Sequence, residues 1–120
     1  MYVIIWEYRV RAGSEAAFEQ AYGREGEWVR LFEQGQGYRG TELHRDLAGG
    51  RRYVTIDRWT SRAAYDALHD RHVAEYDAID RRCEPLTEHE ELLGTFEGVS
   101  AVPAPVAERP SGDRPRRVKD

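Results

Sequence analysis

The sequence predicts an α+β fold of the ferredoxin-like type, with elements in the order β-α-β-β-α-β and one four-stranded antiparallel sheet. The first observation behind this prediction is that runs rich in β-branched and aromatic residues alternate with segments of helical apolar spacing. The second is length, because a chain of 120 residues is sufficient for one domain with one hydrophobic core. The elements follow from these patterns in chain order.

The first part of the chain predicts one strand and two helical pieces. Tyr2–Val10 is almost continuously β-branched or aromatic, which is typical of a strand. Ser14 is predicted to cap a helix that carries Phe18 on its apolar stripe. Glycines weaken that helix after residue 22, and Glu27–Phe32 is predicted as a second short helix.

The middle of the chain predicts a β-hairpin. Residues 38–46 and 51–59 are its strands, and the glycine-containing segment of residues 47–50 is its loop. A loop of four residues pairs Asp46 with Arg51, and this pairing sets the register of the whole hairpin.

The last part predicts a long helix and a final strand. Thr60 or Ser61 is positioned to cap the helix, whose apolar residues keep a helical period as far as Cys83. Pro85 ends the helix, and residues 90–99 are predicted as the fourth strand.

The C-terminal segment differs in composition from the rest of the chain. The net charge of the whole chain is −4, and residues 100–120 hold four of its five prolines. That segment carries five basic and three acidic residues, a charge of +2, which leaves −6 for residues 1–99. We therefore predict a folded domain over residues 1–99 and a Pro/Arg-rich disordered or extended tail over residues 100–120. The tail either stays solvated or wraps a partner subunit.

Composition also indicates which kinds of partner and which cellular compartment to expect. The isoelectric point near 5.6 argues against nucleic acid as a partner. Cys83 is the single cysteine, so an internal disulfide cannot form, which suits the cytoplasm. No apolar run is long enough for a membrane span, and no signal peptide is evident.

The predicted register leaves the sheet with two partly apolar faces. In this register Leu43 packs toward the helices, whereas Tyr53 and Trp59 share the other face with Val3 and Ile5. This apolar area is too large to remain exposed to solvent in so small a chain, and a second copy of the chain would bury it. We therefore predict a homodimer formed sheet against sheet.

Three segments resemble antibiotic-biosynthesis-monooxygenase-like proteins. They are Tyr2–Val10 with the following Arg-Ala-Gly-Ser, residues 37–43 (GYRGTEL) and residues 53–61 (YVTIDRWTS). The resemblance covers residues 2–97 and implies a dimeric α+β barrel with a pocket between sheet and helices in each subunit. It also implies one of several activities, which include cofactor-free oxygenation of phenols or anthrones, quinol oxidation and haem degradation.

Haem degradation does not fit this sequence. The haem-degrading relatives use an asparagine on the first strand and a tryptophan and a histidine near the last helix. In a gapless comparison Tyr8, Leu68 and Ala78 stand at these three positions. The sequence also has no GxGxxG or phosphate-loop motif, so no cofactor is predicted. His69 and His72 lack a convincing third ligand, and no metal is predicted.

Cofactor-free oxygenation needs an apolar pocket, a base and hydrogen-bond donors. His72 is the predicted base, because an unperturbed imidazole titrates near neutral pH and His72 lies one turn before Tyr76. The residues predicted as catalytic are His72, Tyr8 and Tyr76, and those predicted to bind substrate are Trp6, Trp28, Phe32 and Leu43.

Asp57 interrupts an apolar strand, and we expect it to form an ion pair with Arg9, Arg45 or the partner subunit.

Three alternatives for the function of the protein stay open. They are a cofactor-independent monooxygenase acting on a quinol, anthrone or polyketide-type substrate, a non-catalytic barrel that binds a small apolar ligand or a protein, and a cyclase or isomerase.

Overall fold

The computed structural model describes residues 1–105. Its elements, in chain order, are β1 (Tyr2–Val10), α1 (Glu15–Tyr22), α2 (Glu27–Phe32), β2 (Tyr38–Arg45), β3 (Arg52–Trp59), α3 (Arg62–Arg71), α4 (Val73–Cys83), a one-turn 3₁₀ helix (Glu84–Leu86) and β4 (Thr87–Glu97). Residues 100–105 belong to no helix or strand. The rest of the tail predicted over residues 100–120 lies outside the described residues.

The four strands form one antiparallel sheet in the order β2-β3-β1-β4. The helices pack on one face of this sheet, which confirms the predicted ferredoxin-like arrangement. The first and last strands lie side by side because β1 occupies an interior position between β3 and β4. None of the helices in residues 1–105 is long and apolar enough to cross a membrane.

The hairpin between β2 and β3 differs from the sequence prediction by one residue. Leu43 pairs with Thr55, not with Val54. The loop is longer than predicted because Arg51 adopts a left-handed backbone conformation, with φ of 56°. Arg51 thereby belongs to the loop, and the backbone N–H of Asp46 donates a hydrogen bond of 2.9 Å to the carbonyl of Arg52.

This shift moves the residues of β3 to the other face. Tyr53, Thr55, Asp57 and Trp59 all point toward the helices and are buried, with Trp59 fully inaccessible to solvent. The predicted placement of Tyr53 and Trp59 on the helix-free face was therefore wrong. A slip of one residue has this effect because successive side chains of a strand alternate between faces.

The core is dominated by aromatic rings between the sheet and the helices. Tyr8 and Tyr53 of the sheet contact Phe18 of α1, with ring centroids 5.2 and 4.9 Å apart. Phe32 of α2 and Tyr65 of α3 both meet Trp59 edge to face, with ring centroids 5.6 and 5.5 Å apart. Ring pairs at these distances stabilise the fold by more than the burial of their apolar area alone.

The long helix of the prediction is two helices. His72 separates α3 from α4 with a backbone outside the helical region (φ −125°, ψ 36°). Ser61 caps α3 by accepting a hydrogen bond from the Ala64 N–H at 3.1 Å. The Ser14 side chain makes no such bond. After the break at His72, α4 packs against α2.

We use the term open face for the side of the sheet that the helices leave uncovered. Its apolar residues are the half-buried Val3, Ile5, Val54 and Ile56 and the half-exposed Phe96 of β4. Phe96 lies across Gly94, where a Cβ atom would approach the ring to about 3.0 Å. β4 begins at Thr87, three residues before the predicted start.

Candidate active site

A cavity of about 240 Å³ lies between the sheet and the helices, and we call it the central cavity. Most of its walls are aromatic. The aromatic lining residues are Trp6, Tyr8, Tyr22, Trp28, Phe32, Tyr65 and Tyr76, joined by Ile4, by Thr41 and Thr55, and by the carboxyl groups of Asp57, Asp80 and Glu90. A pocket of apolar walls with a few convergent polar groups is the usual form of a ligand site.

Local structure explains how the walls converge. Trp6 and Tyr8 alternate along β1 and therefore share the helix-facing side of the sheet. Trp28 and Phe32 are one turn apart on α2 and share one side of that helix. Tyr76 of α4 meets Trp28 edge to face, with ring centroids 5.0 Å apart.

Tyrosine hydroxyls supply neutral polar groups in the cavity. The Tyr8 hydroxyl lies 3.3 Å from the Thr55 hydroxyl, and the hydroxyls of Tyr65 and Tyr76 are 3.1 Å apart. Burial raises the pKa of Tyr8 and of Tyr76 above the usual value for tyrosine. Both therefore keep their protons at neutral pH and can donate a hydrogen bond to a ligand oxygen.

Asp57 is the one buried acid among the described residues that line the central cavity, with 8% of its surface exposed. Its Oδ1 accepts a hydrogen bond of 2.6 Å from the Thr41 hydroxyl. Burial raises the pKa of Asp57 to about 6, and the Thr41 bond counteracts only part of this effect. A carboxyl group with such a pKa is ionised at neutral pH and basic enough to take a proton.

The expected ion pair of Asp57 with Arg9 or Arg45 was wrong. Arg9 donates instead to the Gly50 carbonyl, and Arg45 pairs with Glu19. No cation pairs with Asp57 anywhere in residues 1–105. An unpaired buried carboxylate is unusual in a protein core and more common at functional sites.

A hydrogen-bond chain leads from Asp57 to a second pocket. The Tyr38 hydroxyl lies 2.5 Å from the Thr41 hydroxyl, which in turn bonds to Asp57. The second pocket, here the side pocket, is lined in part by Tyr22, Tyr38, Thr41 and Leu43. Tyr22 and Thr41 line both spaces. Asp57 is thus held in place from the side pocket while its carboxyl group lines the central cavity.

Two further carboxyl groups line the cavity where it meets solvent. Asp80 of α4 and Glu90 of β4 are both exposed. Partial burial raises the pKa of Glu90, and the neighbouring carboxylates of Asp80 and Glu84 add to this effect. Like charges disfavour one another, so Glu90 holds its proton more readily than an isolated carboxyl group does.

The structure brings together five of the seven predicted site residues. Trp6, Tyr8, Trp28, Phe32 and Tyr76 all line the central cavity. Their position between sheet and helices follows from strand alternation and helical spacing, which depend only on local sequence.

The other two predicted residues lie elsewhere. Leu43 faces the helices but lines the side pocket. His72 is at the break between α3 and α4, with Glu75 3.6 Å away, and it does not line the central cavity. His69, and not His72, is the histidine that contacts Tyr76, with ring centroids 4.5 Å apart.

Sequence reasoning missed Asp57 as a functional candidate. Its spacing of two from Thr55 and from Trp59 was the available signal, because the three side chains must share a face. The one-residue error in hairpin register placed that face away from the helices and concealed the signal.

One group of residues has the composition of a metal site. Glu7, His89 and Glu91 bring one ligand atom each within 4.8 Å of one another. They lie on strands β1 and β4, on the sheet side opposite the central cavity, and Arg52 already pairs with Glu7. Within residues 1–105, no histidine or cysteine lines the central cavity.

Comparisons with solved structures agree on the fold. SnoaB from Streptomyces nogalater, a cofactor-independent oxygenase, is 21% identical, with a TM-score of 0.64 over 86% of this chain and 97% of that chain. A NIPSNAP domain protein from Burkholderia xenovorans is 23% identical, with a TM-score of 0.64 over 87% and 100%. A mutant of MhuD with two manganese protoporphyrin IX molecules bound per active site is 27% identical, with a TM-score of 0.67 over 87% and 100%.

A search of curated proteins finds no significant match. The family model for antibiotic biosynthesis monooxygenases, in contrast, matches residues 1–75. The matched part begins with β1 and extends into α4, and so includes Asp57 and most of the aromatic walls. Because the match covers more than half of the 120 residues, the chain belongs to the antibiotic biosynthesis monooxygenase family.

Proposed function

We propose that the protein is a cofactor-independent monooxygenase that oxidises an aromatic substrate of the quinol, anthrone or polyketide type, with Asp57 as its general base. The observation that carries the proposal is a buried, unpaired carboxyl group facing a cavity with aromatic walls. Membership of the monooxygenase family and the fold shared with SnoaB support the reaction class.

Asp57 has the properties that the first step requires. Its pKa of about 6 lies close to the operating pH, where a general base combines a large ionised fraction with a useful proton affinity. The Thr41 hydroxyl holds one carboxyl oxygen, which leaves the other oxygen to accept a substrate proton. No other carboxyl group that lines the cavity is as deeply buried.

The chemistry begins when Asp57 removes a proton from a phenolic O–H or from the acidic CH₂ of an anthrone. The resulting anion transfers an electron to dioxygen, and the radical pair combines to form a C–O bond, which gives a peroxide anion. Protonation and loss of water convert the CH₂ group to a carbonyl, so that CH₂ + O₂ becomes C=O + H₂O. One oxygen atom enters the product, the other leaves in water, and the substrate supplies all the electrons.

Neighbouring side chains orient the substrate and its intermediates. Trp6 and Trp28 offer flat apolar surfaces against which an aromatic ring can stack. The hydroxyls of Tyr65, Tyr76 and Tyr8 are donors for a substrate oxygen that becomes negative during the reaction. A cavity of about 240 Å³ lies slightly below the common range of roughly 300–1,000 Å³ for ligand sites, which favours a compact, flat substrate.

Porphyrin chemistry is not part of the proposal. The MhuD structure contains manganese protoporphyrin IX, but no histidine or cysteine that could hold the metal lines the central cavity in residues 1–105. The cavity is also small for a macrocycle.

We further propose that the working unit is a homodimer in which the open faces of two sheets meet. The open face exposes Phe96 and leaves Val3, Ile5, Val54 and Ile56 half-buried. A contiguous apolar surface of this kind is typical of an interface between subunits. The cavity opens on the other side of the sheet, so each subunit keeps its own site.

The function is tested by oxygen consumption with a panel of quinols and anthrones, with and without a metal chelator. We expect turnover that the chelator does not change, that increases with pH through about pH 6, and that decreases at least roughly 100-fold in Asp57→Asn. Asp77→Asn, which removes a carboxylate of α4 that does not line the cavity, is the matched control and should retain activity.

Two results would contradict the proposal. One is full activity of Asp57→Asn, which would assign the base elsewhere. The other is the absence of oxygen uptake with every quinol and anthrone. A ligand that stays bound through purification and is unchanged in air would then indicate a binding protein.

A further inference from the structure

The central cavity has an unbalanced charge. Three carboxyl groups line it, those of Asp57, Asp80 and Glu90, whereas no lysine, arginine or histidine is among the lining residues of the described chain. A site of this composition attracts cations and repels anions.

No ion pair within residues 1–105 neutralises these acids, although Arg11 lines a neighbouring pocket together with Asp80 and Glu90. The Asp57 carboxyl group accepts a hydrogen bond only from Thr41, and Asp80 and Glu90 make no side-chain hydrogen bond or ion pair. Of the arginines that follow these acids in sequence, Arg58 pairs with Glu42 and Arg82 with Glu27, and Arg81 forms no ion pair with Asp80 within residues 1–105. The negative charge therefore remains available to a ligand.

Asp57 of β3 and Glu90 of β4 lie on either side of β1, the strand that carries Trp6 and Tyr8. Glu90 is the strand partner of Tyr8, and the charges of Asp57 and Glu90 add to the larger effect of burial in raising the pKa of the Tyr8 hydroxyl. Trp6 and Trp28 line the same space. Aromatic faces beside carboxylates are the arrangement that recognises organic ammonium groups, through cation–π attraction and direct ion pairing.

We propose that the substrate is an aromatic compound that carries a protonated amine. This inference deepens the proposed function by naming the substrate class of the same cavity. It also resolves an electrostatic problem of the reaction, because proton removal creates an anion in a cavity where the described residues supply no cation. A positive charge on the substrate itself would balance that anion.

The test compares three phenols that share a ring and differ in charge: tyramine (cation), 4-ethylphenol (neutral) and 4-hydroxyphenylacetate (anion). Dissociation constants are measured by calorimetry without oxygen, at about pH 8, where these charges are fully developed. Because no turnover occurs, the binding result is separate from the outcome of the oxygenase assay. We expect tyramine to bind most tightly and at least roughly tenfold more tightly than the anion.

Variants identify which carboxylates are responsible. The double variant Asp80→Asn/Glu90→Gln should reduce the preference for tyramine several-fold. The control Asp77→Asn/Glu88→Gln removes the same charges from the same two elements, outside the cavity lining, and should preserve it. Equal or tighter binding of the anion, no saturable binding of any of the three phenols, or an unchanged preference in the cavity variant would overturn the proposal.

Discussion

At the scale of single residues, the burial of Asp57 links stability to function. Burial raises its pKa from 3.8 to about 6, so the folded chain disfavours the ionised form. Each pKa unit corresponds to about 1.4 kcal/mol, which makes the stability cost about 3 kcal/mol once both folded and unfolded chains are ionised. The folded chain binds more protons than the unfolded chain between about pH 4 and pH 6, so this cost develops as the pH rises through that window.

Replacing Asp57 by asparagine should therefore stabilise the protein at high pH. Asparagine keeps an acceptor for the Thr41 hydroxyl and removes the buried charge. We expect Asp57→Asn to raise the free energy of unfolding by about 2–3 kcal/mol at pH 8 and by close to zero at pH 3, measured by urea denaturation. Asp77→Asn is exposed and should show neither effect. A gain of the same size at both pH values would mean that ionisation of Asp57 is not its cause.

At the scale of elements, the β2–β3 hairpin shows where sequence reasoning stops. The two strands were predicted from composition and alternation, and the observed bounds differ from the prediction by one residue. Register was not predictable in the same way, because it depends on Arg51 adopting a positive φ that nothing in its side chain favours. An irregularity between Tyr38 and Gly40 then restores the pairing of Tyr38 with Trp59.

The same limit explains the site prediction. The aromatic walls on β1, α2 and α4 were found from local periodicity alone. To predict that Asp57 faces the cavity, the register of β3 must be known. To predict where His72 lies, the angle between α3 and α4 must be known. Both are tertiary features that a single sequence does not determine.

The glycines of the hairpin loop offer a test at this scale. Gly49 has a φ of 92° and open space where a Cβ would lie, so only backbone conformation resists a side chain there. We expect Gly49→Ala to destabilise the protein by about 1–2 kcal/mol in thermal or urea denaturation. The control is Leu47→Ala at the same loop tip, where the side chain is 96% exposed and loss of it should change stability by less than about 0.5 kcal/mol. An unchanged stability of Gly49→Ala would show that the loop can reorganise without a left-handed residue.

At the scale of the whole molecule, the open face determines how chains meet. Phe96 is half-exposed at 50% and lies next to Val3 of the neighbouring strand. We expect light scattering to give the mass of two subunits, and Phe96→Glu to give the mass of one, because a carboxylate would be buried without a partner in the interface. Leu47→Glu adds the same charge at an exposed loop tip and should remain dimeric. A wild-type mass of one subunit would contradict the dimer and leave the cavity proposals unaffected.

The position of Thr41 has a consequence for how this site can diversify. Its side chain is part of the wall between the central cavity and the side pocket, and it also donates the hydrogen bond that lowers the pKa of Asp57. A smaller residue there would lengthen the accessible space toward Leu43 and, at the same time, make the carboxyl group a stronger base. Ligand length and base strength are therefore coupled through one side chain, and selection on either property changes the other.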